Sequence, residues 1–120
     1  MLSVKALLTK ILEMLTVESR TYTSQYASAI RVYRYGKVVT IILSNMISVP
    51  NGTSLLLFTL PAGWRPLFIC MELLRNPTDT ATSMMRVSAY PDGNVYVYQY
   101  GSATSSASTN ASCTLTFIAS

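Results

Sequence analysis

Met84-Met85-Arg86-Val87-Ser88-Ala89-Tyr90 leads into Pro91-Asp92-Gly93 and resumes as Asn94-Val95-Tyr96-Val97-Tyr98-Gln99-Tyr100. In the second run the side chains alternate. Val95, Val97 and Gln99 share one face, and Tyr96, Tyr98 and Tyr100 share the other, which is the period of a strand. Pro-Asp-Gly between the runs is turn chemistry: Pro sets φ, Asp satisfies local backbone groups and Gly accepts a positive φ. Residues 84–100 therefore predict an antiparallel hairpin, and a hairpin this rich in valine and tyrosine belongs to a sheet protein.

The same grammar extends in both directions. Thr21–Ala27 predicts an edge strand, and Ile30–Tyr35 alternates clearly. Gly36-Lys37 is a two-residue turn with Gly first, the type II′ pattern, and Val38–Ser44 returns from it. Met46–Val49 is a short run ending at the turn Pro50-Asn51-Gly52. Leu55–Leu60 is continuously apolar, as expected of a strand buried on both faces, and Leu67–Leu73 is another buried strand, with a rigid loop at Pro61–Pro66 between them. Polar loops are expected at 75–83 and 101–112, and Cys113–Ala119 is the last strand. Seven or eight short strands spaced near ten residues predict an all-β body over 21–120, an antiparallel sandwich resembling a jelly roll.

Residues 1–20 obey another period. Val4, Leu7, Ile11 and Met14 step by three and four, with Leu8 and Leu15 as a second column and Ser3 as N-cap. A helix this short is marginal alone in water. It must pack on its own body or bundle with copies of itself, and two heptads suit a short trimeric stalk.

Composition removes whole classes of chemistry. The 120 residues make one core. Half are hydrophobic and only 12% are charged, which is apolar enough to suggest a surface meeting another chain. No histidine is present, so Ser-His, Cys-His and His-metal arrangements are absent. The acids Glu13, Glu18, Glu72, Asp79 and Asp92 form no calcium-type cluster and no obvious glycosidase pair. No enzyme activity, metal or cofactor is expected. The net charge of +4 comes from scattered Lys and Arg, so nucleic acid is not an expected partner. Cys70 and Cys113 are too few for a disulfide framework and suit buried thiols. Lys10 and Glu13 interrupt the leading apolar stretch. The expectation is a soluble chain made in a bacterial cytoplasm, with no signal peptide and no membrane insertion.

Candidate ligand residues are aromatic. The row Tyr96, Tyr98 and Tyr100 could stack sugars or fill a subunit interface. Trp64, beside Arg65 in a loop stiffened by Pro61 and Pro66, reads either as an exposed stacking residue or as a plug closing the sandwich end.

Three segments taken together resemble a known family: Gly36-Lys37-Val38-Val39, then Leu60-Pro61-Ala62-Gly63-Trp64-Arg65-Pro66, then Arg86–Val95 around Asp92-Gly93. They resemble the C-terminal receptor-binding head domains of tail fibre proteins from phages and prophages of Gram-positive hosts. The resemblance spans about residues 30–119. It implies a homotrimeric virion head domain at 21–120 on a helical neck at 1–20. That head would bind a host-surface saccharide or protein and join other tail proteins. The alternatives are a structural virion protein of the baseplate or head decoration without a host ligand, and a carbohydrate-binding module.

Overall fold

A computed structural model describes residues 3–46, 52, 54–75, 84–100 and 112–120. One helix, α1 (Val4–Leu15), precedes eight strands. These are β1 (Val17–Ser24), β2 (Ala27–Tyr35), β3 (Val38–Met46), β4 (Leu55–Thr59), β5 (Cys70–Arg75), β6 (Met84–Ala89), β7 (Asn94–Tyr100) and β8 (Cys113–Ile118). They form two four-stranded antiparallel sheets, β1-β2-β3-β8 and β4-β7-β6-β5. The first is a meander with β8 added beside its third strand, and the second is a Greek key. The all-β sandwich expected from the strand rhythm is the architecture observed.

Alternation builds the core. Ile30 and Val32 of β2, Val39, Ile41 and Leu43 of β3, and Leu115 of β8 face Met85, Val87, Val95 and Val97 of the opposite sheet, all essentially fully buried. Each inward residue is followed by an outward one, so the two inner faces interdigitate without a third layer. At the β1–β4 margin the rings of Tyr22 and Phe58 lie 4.8 Å apart.

Turn chemistry sets the register. Gly36 has φ 60, and the Gly36-Lys37 hairpin pairs Tyr35 with Val38. At the second hairpin the Gly93 amide donates to the Tyr90 carbonyl at 2.8 Å, and Asp92 Oδ1 accepts from the Asn94 amide at 2.9 Å. Arg86 thereby pairs with Tyr98, and Ser88 with Tyr96.

Two expectations are corrected. The first strand begins at Val17, directly after the helix and not at residue 21, because Val17–Tyr22 pair in continuous register with Tyr35–Ile30. Nor is Leu67–Leu73 a buried strand. The strand begins at Cys70, and Leu67, Phe68, Ile69, Met71 and Leu73 are all exposed, Phe68 at 81%. β5 is a sheet edge, and residues 67–69 belong to the link that tethers to β8, where the Leu67 amide donates to the Ile118 carbonyl. In Leu55–Leu60, Leu57, Phe58 and Leu60 are buried while Leu56 is half exposed, across a bulge. The expected run at 47–49, the turn at 50–52 apart from Gly52, and the loops over 76–83 and 101–111 lie outside the described residues.

α1 is capped as expected, with Ser3 Oγ accepting from the Ala6 amide at 3.1 Å. It forms no packing layer with the sandwich. Leu7, Leu8, Ile11 and Leu12 are all exposed, and the molecule measures 64 × 22 × 22 Å. A helix of this length adds roughly 18 Å to a rod.

The body has two distinct ends. The helix junction at Val17, the Gly36-Lys37 hairpin, the link 60–69, the turn 90–93 and the chain end at Ser120 gather at one of them. β3, β5 and β7 finish at the other.

Candidate functional site

Strand pairing places Tyr96, Tyr98 and Tyr100 on the outer face of the second sheet. Their neighbours on that face follow from register. Leu56, Tyr96, Ser88 and Met71 make one row across the four strands, and Tyr98, Arg86 and Leu73 make the next. The inward partners Val95, Val97 and Gln99 hold the strand to the core, so the outer face has a rigid floor.

The tyrosine row divides in two. The Tyr96 hydroxyl accepts from Asn94 Nδ2 at 3.3 Å, and Asn94 Oδ1 accepts from Thr59 at 2.9 Å. The Tyr96 ring meets Tyr90 edge-on at 5.5 Å. These contacts tie Tyr96 to the turn end of the hairpin. Tyr98 and Tyr100 form a separate pair, their rings 4.6 Å apart, with the Arg86 guanidinium 5.5 Å from each ring centre. Leu73, Met71 and Leu56 flank the face with about half of their surface exposed.

Arg86 did not emerge as a candidate from sequence. Its signal was present in the hairpin: pairing about the Pro91–Gly93 turn puts residue 86 opposite residue 98. Arg86 Nε and Ser88 Oγ, both on this face, are buried without a hydrogen-bond partner.

Trp64 and Arg65 lie elsewhere, at the helix end of the body. Trp64 is 2% exposed. Arg34 and Arg20 place their guanidinium carbons 4.9 and 5.1 Å from its ring centre. Arg34 also donates to the Gly63 carbonyl at 3.1 Å and forms an ion pair with Glu18 at 2.7 Å. The indole thus closes the space between the sheets beneath two cations. Arg65 Nε donates to the Leu60 carbonyl at 3.0 Å, and the Arg65 carbonyl accepts from the Ser120 amide. Arg65 joins the link 60–69 to the chain end after β8 and to the second hairpin beside Gly93, whereas Trp64 meets β1 and β2 through Arg20 and Arg34. The structure does not bring Trp64 and Arg65 together with Tyr98 and Tyr100.

A second surface is apolar. Val17, Tyr35, Val38 and Ile118 are successive register partners across the first sheet, and all are exposed. Leu67, Phe68 and Ile69 extend this band to the seam with β5, where they line a groove of about 300 Å³ with Cys70, Phe117 and Ile118. The band starts two residues after α1 ends.

The two cysteines are free. Burial pushes the Cys113 thiol up to about 12, helped by the negative field of Glu72. Burial also raises Cys70, which contacts the Thr116 carbonyl at 3.7 Å. Neither is disposed to ionise near neutrality. Among the described residues no group of three or more cysteine, aspartate and glutamate side chains gathers. No described helix is long and apolar enough to cross a membrane.

No protein-family model matches the chain, and no curated protein matches it.

Proposed function

We propose that this chain is a non-enzymatic virion attachment head. Three copies associate through α1, and the outer face of the second sheet binds a saccharide of the host surface. The observation that carries this reading is the free-standing helix. Val4, Leu7, Leu8, Ile11 and Leu12 are exposed, and the exposed band Val17-Tyr35-Val38-Ile118 begins beside the helix. A 12-residue helix gains stability only through burial of such a face, and a second copy of the same seam supplies it. Met46, Arg75 and Tyr100, where β3, β5 and β7 end, lie at the opposite end of the body, the side directed away from a shaft. The segments Gly36–Val39, Leu60–Pro66 and Arg86–Val95, which resemble fibre heads, support the same assignment.

Trimerisation also suits weak saccharide contacts, because linked sites raise avidity by factors on the order of 10². In this reading the protein acts in the virion tail beside other tail proteins.

The test has two parts. Light scattering on the full chain should give three times 13.2 kDa. The protein, fluorescently labelled, should bind cell-wall fragments from a Gram-positive panel and be displaced by solubilised wall saccharide. A monomer at micromolar concentration that binds no wall overturns the reading. A trimer that binds none identifies the structural virion alternative, for which the exposed groove at Leu67–Ile69 and Ile118 is the favouring observation.

A further inference from the structure

We infer that the tyrosine face selects saccharides carrying an oxyanion, a carboxylate or a phosphate, and that Arg86 is the selecting residue. This rests on the saccharide-binding reading above and adds the charge of the ligand.

Arg86 is a cation stacked on a pair of aromatic rings. Among the described residues it makes no ion pair and no hydrogen bond. Its Nε is buried and unpaired, while its guanidinium stacks over Tyr98 and Tyr100. Stacking on rings satisfies the face of a guanidinium but none of its five in-plane N–H donors.

No described carboxylate shares that face. Glu18 is engaged by Arg34 at the helix end. Asp92 is bonded to Asn94 in the turn. Glu72 occupies the register position opposite Val87, which faces the core. Leu73 and Met71 border the arginine with hydrocarbon, so the field of its charge is poorly screened there.

A neutral sugar would use only the rings. An oxyanion on the sugar would meet the planar fork in charge-assisted hydrogen bonds while the sugar ring lies on Tyr98 or Tyr100.

Calorimetry with the full chain decides this, using three probes: tetragalacturonate, its methyl ester, and poly(glycerol phosphate). The acid probe should bind roughly tenfold tighter than the ester, as a charge-assisted bond requires. That advantage should shrink at high salt. Arg86→Met should bring the acid probe down to the affinity of the ester, whereas Arg86→Lys should keep part of the preference. Thermal melting of each variant verifies folding, and the salt dependence of the unaltered protein tests the idea without any variant. Tighter binding of tetragalacturonate than of poly(glycerol phosphate) assigns a carboxylate, and the reverse assigns a phosphate. Equal binding of acid and ester overturns the oxyanion assignment but leaves saccharide attachment standing. An Arg86→Met protein that retains the preference also overturns it. Failure of all three probes, together with failure to bind wall fragments, overturns both.

Discussion

The Leu60 carbonyl oxygen lies 2.5 Å from the point where a Cβ on Gly93 would stand. The same two residues are joined by a hydrogen bond, the Leu60 amide donating to the Gly93 carbonyl at 2.8 Å. This close approach locks the hairpin 84–100 to the link that carries Trp64, and it needs a residue with no side chain.

Gly93→Ala should therefore destabilise the fold by about 2–4 kcal/mol. It combines strain at φ 93 with a clash against backbone and Arg65. Urea denaturation monitored by tryptophan fluorescence measures it. A change within experimental error would show that the link moves freely.

Trp64→Ala should cost about 3–5 kcal/mol, the range for deleting a buried aromatic. It should also loosen Arg20 and Arg34, which stack on the ring. Saccharide binding measured on the folded fraction should persist, since Tyr98 and Tyr100 lie on the outer face of the other sheet.

Gln99 is fully buried, and both side-chain polar atoms lack partners. Gln99→Met keeps the length and removes two unsatisfied groups. It should raise stability by about 1–3 kcal/mol. A rise in the denaturation midpoint with an unchanged slope is the expected signature.

Cys113 gives the fold an alkaline limit. Its thiol is raised from 9.0 to about 12 in the folded protein. The unfolded chain therefore releases the proton first, and stability declines as pH rises from about 9 towards 12. Below pH 9 this contribution is fully present. Urea midpoints at pH 8 and pH 10.5 should differ, and Cys113→Val should reduce the difference. Iodoacetamide at pH 8 should modify Cys113 only on unfolding.

The proposed assembly through α1 predicts that Leu7→Asn together with Ile11→Asn gives a monomer where the unaltered chain gives a trimer, without unfolding the sheets, because α1 adds nothing to the sandwich core. Light scattering and far-ultraviolet circular dichroism read the two effects separately.

Much of the fold was legible in the sequence because local chemistry and tertiary outcome agree. Pro91-Asp92-Gly93 and Gly36-Lys37 each demand a turn, and the flanking residues alternate about it. Ser3 begins the helix where a cap is needed. The failures share one cause. β1 carries Glu18 and Arg20 and shows little alternation, so its first residues are strand only because β2 pairs with them. Leu67–Leu73 looks like core since periodicity distinguishes apolar from polar but not covered from uncovered. Its exposure reflects an edge position set by topology. At the candidate site the tyrosine row was visible from alternation alone. The stacking of Arg20 and Arg34 on Trp64 was not, because it joins residues 30 or more positions apart. Arg86 fell between the two, within reach of the hairpin's symmetry.

The opposed ends of the body separate two kinds of evolutionary freedom. Met46, Arg75 and Tyr100, where β3, β5 and β7 end, lie at the opposite end of the body from the junction where α1 meets Val17. Segments can be exchanged at those strand ends while that junction, the Trp64 link and the 90–93 turn stay as they are. The scaffold is thus suited to loop grafting, with new segments exchanged at the tip and the base left untouched.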